Sequence, residues 1–145
     1  MRVLAVVWVT LLAHAAAADD GRQQQIMRLF AAGKYAEAIP LAEADARETE
    51  RTLGPDHTDT ATSLNNLAAL YDAHGEYAKA EKLYKRALAI DERALGPNHP
   101  STAVDLNNLA ALYKTVGQYA DAERLFERAL VIDEQALGPE QDRKS

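Results

Sequence analysis

The stretch "LNNLAALY" spans Leu64–Tyr71 and returns unchanged at Leu106–Tyr113, 42 residues later. Within it Leu64, Leu67, Ala68 and Tyr71 fall at spacings of three and four, the period that puts side chains on one face of an α-helix. An apolar stripe of that kind needs a neighbouring surface, and a chain that writes it again at a fixed interval builds the neighbour from itself. Aligning Leu53–Ala94 with Leu95–Ala136 gives 27 identities in 42 positions. A weaker copy begins at Gly33, which stands 42 residues before Gly75, itself 42 before Gly117.

Each unit reads as two helices. After Leu64–Tyr71, Gly75 supplies the permissive backbone of a tight turn. A second stripe follows in Tyr77, Ala80, Leu83, Tyr84, Ala87, Leu88 and Ile90. Leu95-Gly96-Pro97 closes it, because glycine suits the position just past a helix end and proline cannot continue the helix. Pro100 then fits the first turn of the next helix, where its missing N–H costs nothing. The expected fold is all-α, a superhelix of about three antiparallel helix pairs with units at about 23–54, 55–96 and 97–138.

The first eighteen residues differ from the rest. A basic "MR" precedes the uncharged run "VLAVVWVTLLAHAAAA", which ends in small residues before Asp19 and Asp20. The run is shorter than the ~20 apolar residues of a spanning helix. A basic start, a short apolar stretch and A-x-A sites make residues 1–18 a secretory signal peptide, and the expected location is periplasmic or secreted. Residues 19–139 are then the repeat domain and 140–145 a polar tail.

Cleavage after Ala18 would leave 15 basic against 22 acidic residues, a balance that disfavours nucleic acid. Beyond the signal segment nothing calls for a membrane. With no cysteine in the chain, disulfides, thiolate metal sites and cysteine nucleophiles are excluded.

Leu64-x-x-Leu67-Ala68-x-x-Tyr71 followed by Gly75-x-Tyr77-x-x-Ala80-x-x-x-Tyr84-x-x-Ala87 resembles the tetratricopeptide repeat. The third unit matches at Leu106, Leu109, Ala110, Tyr113, Gly117, Tyr119, Ala122, Phe126 and Ala129. The 42-residue period, the Asn pair and the "LGPxH" linker are similar to the kinesin-light-chain type of this repeat, also found in bacterial proteins. The first unit departs from the pattern. Its opening helix lacks the Asn pair and reads one residue shorter before Gly33, and Asp45 stands where Ala87 and Ala129 stand later.

The resemblance implies a non-enzymatic scaffold that binds a protein or peptide in a concave groove lined by the first helix of each unit. With the apolar stripe facing inward, Asn65 projects about 100° from it and Asn66 about 200°. The expected groove residues are therefore Asn65, Asn66 and Asp72 in the second unit and Asn107, Asn108 and Lys114 in the third. An Asn amide both donates and accepts, so it can pair with the backbone of an extended peptide. The alternative use is structural, one Asn of each pair bonding to neighbouring helix ends.

Lys114 alone is no clamp for a terminal carboxylate, which takes several converging cations. His57 and His99 occupy equivalent linkers with no second metal ligand at i+3 or i+4, so hydrogen bonding at a helix start is their expected role. No nucleophile–base pair or phosphate-cradling loop stands out, and neither catalysis nor a cofactor or metal is expected. At the other end, Val131, Ile132 and Leu137 lie on a last helix with no successor to pack on it. Self-association through that helix, in a whole or a shortened array, is the alternative function, and a second copy the alternative partner.

Overall fold

A computed structural model describes residues 20–138. The expected signal peptide and polar tail lie outside these residues. Among the described residues six helices run in order: α1 (Asp20–Ala31), α2 (Tyr35–Leu53), α3 (Thr58–Ala73), α4 (Tyr77–Leu95), α5 (Pro100–Thr115) and α6 (Tyr119–Leu137). Each packs on the next in sequence, and α3 also touches α5. The architecture is the expected all-helical solenoid of three pairs, with no strand among the described residues.

The 42-residue period survives as a backbone period. Within the pairs, Lys34 N–H bonds to Leu29 carbonyl, Glu76 to Tyr71 and Gln118 to Tyr113, each at 2.8 Å. Gly75 in that turn has φ of +86°, a region closed to most L-residues. The identical turn corrects one expectation: the first unit keeps the register up to Gly33, and no residue is missing there. Gln23 and Gln24 consequently stand where Asn65 and Asn66 stand, so the amide pair is present in all three units, as glutamine in the first.

The linkers between units repeat as well. Nδ1 of His57 accepts from Asp59 N–H at 3.0 Å, and Nδ1 of His99 from Ser101 N–H at 3.1 Å. Both histidines therefore cap the helix that follows, satisfying an N–H that has no partner within the helix. Thr60 and Thr102 tie the same linkers from the helix side, donating to Gly54 and Gly96 carbonyls at 2.7 and 2.8 Å.

The core runs along the array. Leu64, Leu67, Tyr71, Tyr84, Ile90, Leu109 and Leu112 are buried in it, joined at the first unit by Ile26 and Phe30. Ala38, Ala61, Ala68, Ala80 and Ala87 have no exposed surface at all, and their small size is what lets adjacent helices approach. Each buried leucine contributes about 2 kcal/mol of apolar transfer.

Candidate functional site

The inner helices α3 and α5 carry the residues expected to bind. Of the sixteen residues of α3, eleven are buried, including both Asn65 and Asn66. A helix with one free side would show a single apolar stripe, whereas α3 lies between α2, α4 and α5 and is covered on most of its circumference. Asn65 and Asn66, about 100° and 200° from the stripe, would be open to solvent only in the first case. Burial takes Asn65, Asn66 and Asn108 off the surface a ligand can reach in this structure. Asn107 and Asp72 are half-buried and Lys114 is exposed, so these three stay accessible. Burial raises the Asp72 carboxyl above the usual range of aspartate.

What Asn65 does is join two units. Its Nδ2 donates to Oδ1 of Asp105, on the first helix of the next unit. Asp105 in turn faces Asp91 on α4, and both carboxyls are almost wholly buried. Burial first, and then repulsion from Asp91, push the Asp105 carboxyl up to about 8. Asp91 is also raised, chiefly by burial. Two carboxylates in such a place do not readily both ionise, which favours a proton retained on one of them. His99, near Asp91, opposes that rise, and Glu92, near Asp105, adds to it.

The preceding junction uses the same places with different chemistry. Counting back 42 residues, Asp91 becomes Thr49 and Asp105 becomes Ser63. Ser63 Oγ lies 3.2 Å from Thr49 Oγ1 and 3.3 Å from Asp45 Oδ2. Asp45, an outlier in the alignment, is therefore the acceptor that completes this cluster. Gln23, the counterpart of Asn65, is buried as well. Sequence reasoning missed Asp91, Asp105 and Gln23. The signal was there in Asp91 and Asp105, two acids within apolar stretches, and in the shared register of Gln23 with Asn65.

A ladder of ion pairs joins successive second helices on the other side. Arg86 bridges to Glu50, and Arg128 bridges to Glu92 at 2.6 Å, again one period apart. Tyr71 and Tyr113 donate across helices to Glu43 and Glu81, the latter at 3.0 Å. Burial, then the bond to Glu43, pushes the Tyr71 hydroxyl up to about 12. Glu81 also takes Lys85 at 2.6 Å, the i,i+4 pair expected from the sequence.

Among the described residues one side of α6 is bare. Tyr119, Phe126, Leu130, Val131 and Leu137 of α6 are exposed, whereas Ile132 turns inward and is buried. The sequence expectation is thus corrected for Ile132, which packs against the preceding helix, and stands for Val131 and Leu137. Lys114, Tyr119, Glu123, Phe126, Glu127 and Leu130 line a shallow hollow of about 370 Å³ there. Among the described residues no three His, Cys, Asp or Glu side chains come together to hold a metal ion.

The family model of the tetratricopeptide repeat matches residues 28–93 and again 74–135. The chain belongs to the tetratricopeptide repeat family. Similar solved structures place it with the kinesin-light-chain type of the repeat. One is a Podosopora anserina kinesin light chain with nearly identical repeats, solved also as a single-residue variant. Each of the two is 27% identical with a TM-score of 0.74 over 81% of this chain, and the match spans 55% of the variant's chain. Another is BtubC from P. vanneervenii, 27% identical with a TM-score of 0.73, matched over 47% of its length. This tetratricopeptide chain thus spans about half the length of the structures it matches. No curated protein matches it. Tetratricopeptide repeats are generally non-enzymatic scaffolds for protein binding.

Proposed function

We propose that the chain is an exported, non-enzymatic scaffold that captures a peptide or a segment of a protein partner along its inner helices. The observation that carries this reading is the accessible lining of those helices. Thr62, Asp72 and Ala73 on α3 are followed by Val104, Asn107, Ala111, Lys114 and Thr115 on α5, all at least partly open to solvent. Side chains this small leave room for an extended backbone, and Asn107, Thr62 and Asp72 offer it hydrogen-bond partners. Asn65 serves the same surface from beneath, by tying α3 to α5. Export rests on residues 1–18, with their basic start, short apolar run and small closing residues.

Affinity capture from the protein's own periplasmic or secreted extract tests binding, with the double variant Asp72→Lys/Lys114→Glu beside the unaltered chain. A partner held by the unaltered chain and lost by the charge-swapped one supports the groove. Equal retention by both sinks it. Mass spectrometry of the secreted chain tests export: loss of the segment through Ala18, and of Trp8 with it, is the expected result. A chain that keeps Met1 and stays in the cell would overturn this part.

A further inference from the structure

We propose that Asn65, Asp91 and Asp105 form a cation site where the second unit meets the third, and that its ligand is a hard divalent ion, calcium before magnesium. The three side chains come from three helices, α3, α4 and α5, so no spacing motif announces the site. It is separate from the inner-helix lining and does not depend on it.

The reason is a set of acceptors without donors. Oδ1 of Asn65, Oδ1 of Asp91 and Oδ2 of Asp105 are buried, and none has a hydrogen-bond partner among the described residues. They belong to one cluster, because Asn65 Nδ2 donates to Asp105 Oδ1 and Asp105 faces Asp91. The three residues are only 4%, 6% and 1% exposed, so bulk water does not serve them. A buried acceptor left in this way carries its full desolvation penalty. A proton kept between the two acids relieves them and gives nothing to Asn65 Oδ1. One cation can meet all three oxygens. Asn65 does not have to turn for this, since Nδ2 keeps its bond to Asp105 while Oδ1 coordinates.

The surrounding charges favour a cation as well. Among the described residues no lysine or arginine pairs with either acid, and Glu92 adds to the negative field at Asp105. Arg128 is held by Glu92 at 2.6 Å, and His99, beside Asp91, caps α5 through Nδ1. The preceding junction is an internal control. In the same register it has Thr49 and Ser63, whose hydroxyls bring their own protons, and Ser63 lies 3.3 Å from the Asp45 carboxylate. An acid is satisfied there by a hydroxyl, whereas Asp91 and Asp105 face each other. The donor set then selects the ion. Carboxylate and amide oxygens suit hard cations, while zinc and copper favour nitrogen or sulfur. The third ligand is an amide, so the cluster is not one of three His, Cys, Asp or Glu side chains. Two acids balance a divalent charge. Calcium accepts irregular oxygen shells, whereas magnesium keeps several waters in a strict octahedron, for which so buried a cluster has little room. Three protein oxygens make a weak site, with a dissociation constant on the order of 1 mM.

The test uses the full chain, stripped of metal with a chelator and dialysed into mildly alkaline buffer, which favours deprotonated ligands. Calcium, magnesium and sodium chlorides are compared at equal ionic strength. Equilibrium dialysis should find one calcium per chain. About 10 mM calcium should raise the thermal midpoint by about 4 °C, and magnesium should give less than half of that shift. Asp91→Asn and Asp105→Asn keep the shape of the side chain and remove one charge each, so both should fold and lose the bound ion and the shift. Asp133→Asn, at the exposed position one period after Asp91, should lose neither. No bound calcium, or binding and a shift that survive both Asp91→Asn and Asp105→Asn, overturns the proposal. Binding weakened as much by Asp133→Asn would assign the ion to diffuse surface charge and overturn the site. Magnesium matching calcium in both readouts would overturn the choice of ion.

Discussion

Removing the proton shared by Asp91 and Asp105 should loosen the junction between the second and third units. Burial and the neighbouring Asp91 push the Asp105 carboxyl of the folded chain up to about 8, against 3.8 for an unperturbed aspartate. Its folded-state value is raised, so its contribution to stability is complete below the unfolded value and is lost as pH rises through about 8. While the folded state keeps a proton that the unfolded state has released, stability falls by about 1.4 kcal/mol per pH unit. Between about pH 5 and about pH 8 that slope sets a ceiling of about 4 kcal/mol. Relaxation and water reaching the pair ease its ionisation, which leaves a working figure of about 2 kcal/mol. Asp105→Asn keeps the shape, accepts from Asn65 through its carbonyl and donates to Asp91, but does not titrate. Urea unfolding followed by far-ultraviolet circular dichroism, repeated from about pH 5 to about pH 9, should show the unaltered chain losing about 2 kcal/mol more than the variant. Asp72, raised by burial, adds a slope of the same sign in both. Parallel profiles, or stability that is flat or rising in the unaltered chain, would refute the shared proton.

Two other substitutions separate packing from polar contacts. Tyr84 is wholly buried, and its hydroxyl has no hydrogen-bond partner among the described residues, while Phe126 occupies the same place one period later. Tyr84→Phe should therefore be neutral or stabilising by about 1 kcal/mol in thermal or urea unfolding, and a clear loss would show that the hydroxyl is bound. Arg128→Glu reverses one step of the partly exposed ion ladder to Glu92. Unfolding at low salt should register a loss of up to about 1 kcal/mol that shrinks at high salt, and a larger loss insensitive to salt would mean that the arginine stem matters more than its charge.

The fold was legible because its determinants are local and repeated. Leu64, Leu67, Ala68 and Tyr71 give the helical period, Gly75 and Gly96 mark the ends, and the 42-residue interval says that the product is stacked. His57 and His99 could be read as helix caps from their shared place in the linker. The Asn pairs were harder. A helical wheel assigns one buried side, and α3 is buried on several, because its neighbours come from three other helices. That placement depends on packing between units, which the stripe of one helix does not encode. For the same reason Asp45, Asp91 and Asp105 looked like ordinary acids until the fold brought them to the junctions. Ile132 and Val131 are adjacent in sequence and equally apolar, and only their rotation on α6 decides that one is buried and the other open.

The central claim is that Asn65 holds the second unit to the third. A double-mutant cycle on Asn65 and Asp105 tests it most directly, using Asn65→Ala, Asp105→Ala and the two together in urea unfolding below about pH 7, where Asp105 keeps its proton. The account predicts a coupling of about 1–2 kcal/mol between these residues 40 apart in sequence. Additive losses, with no coupling beyond the error of the measurement, would mean that Asn65 does not bind the next unit, and would return it to the surface as a candidate for ligand contact.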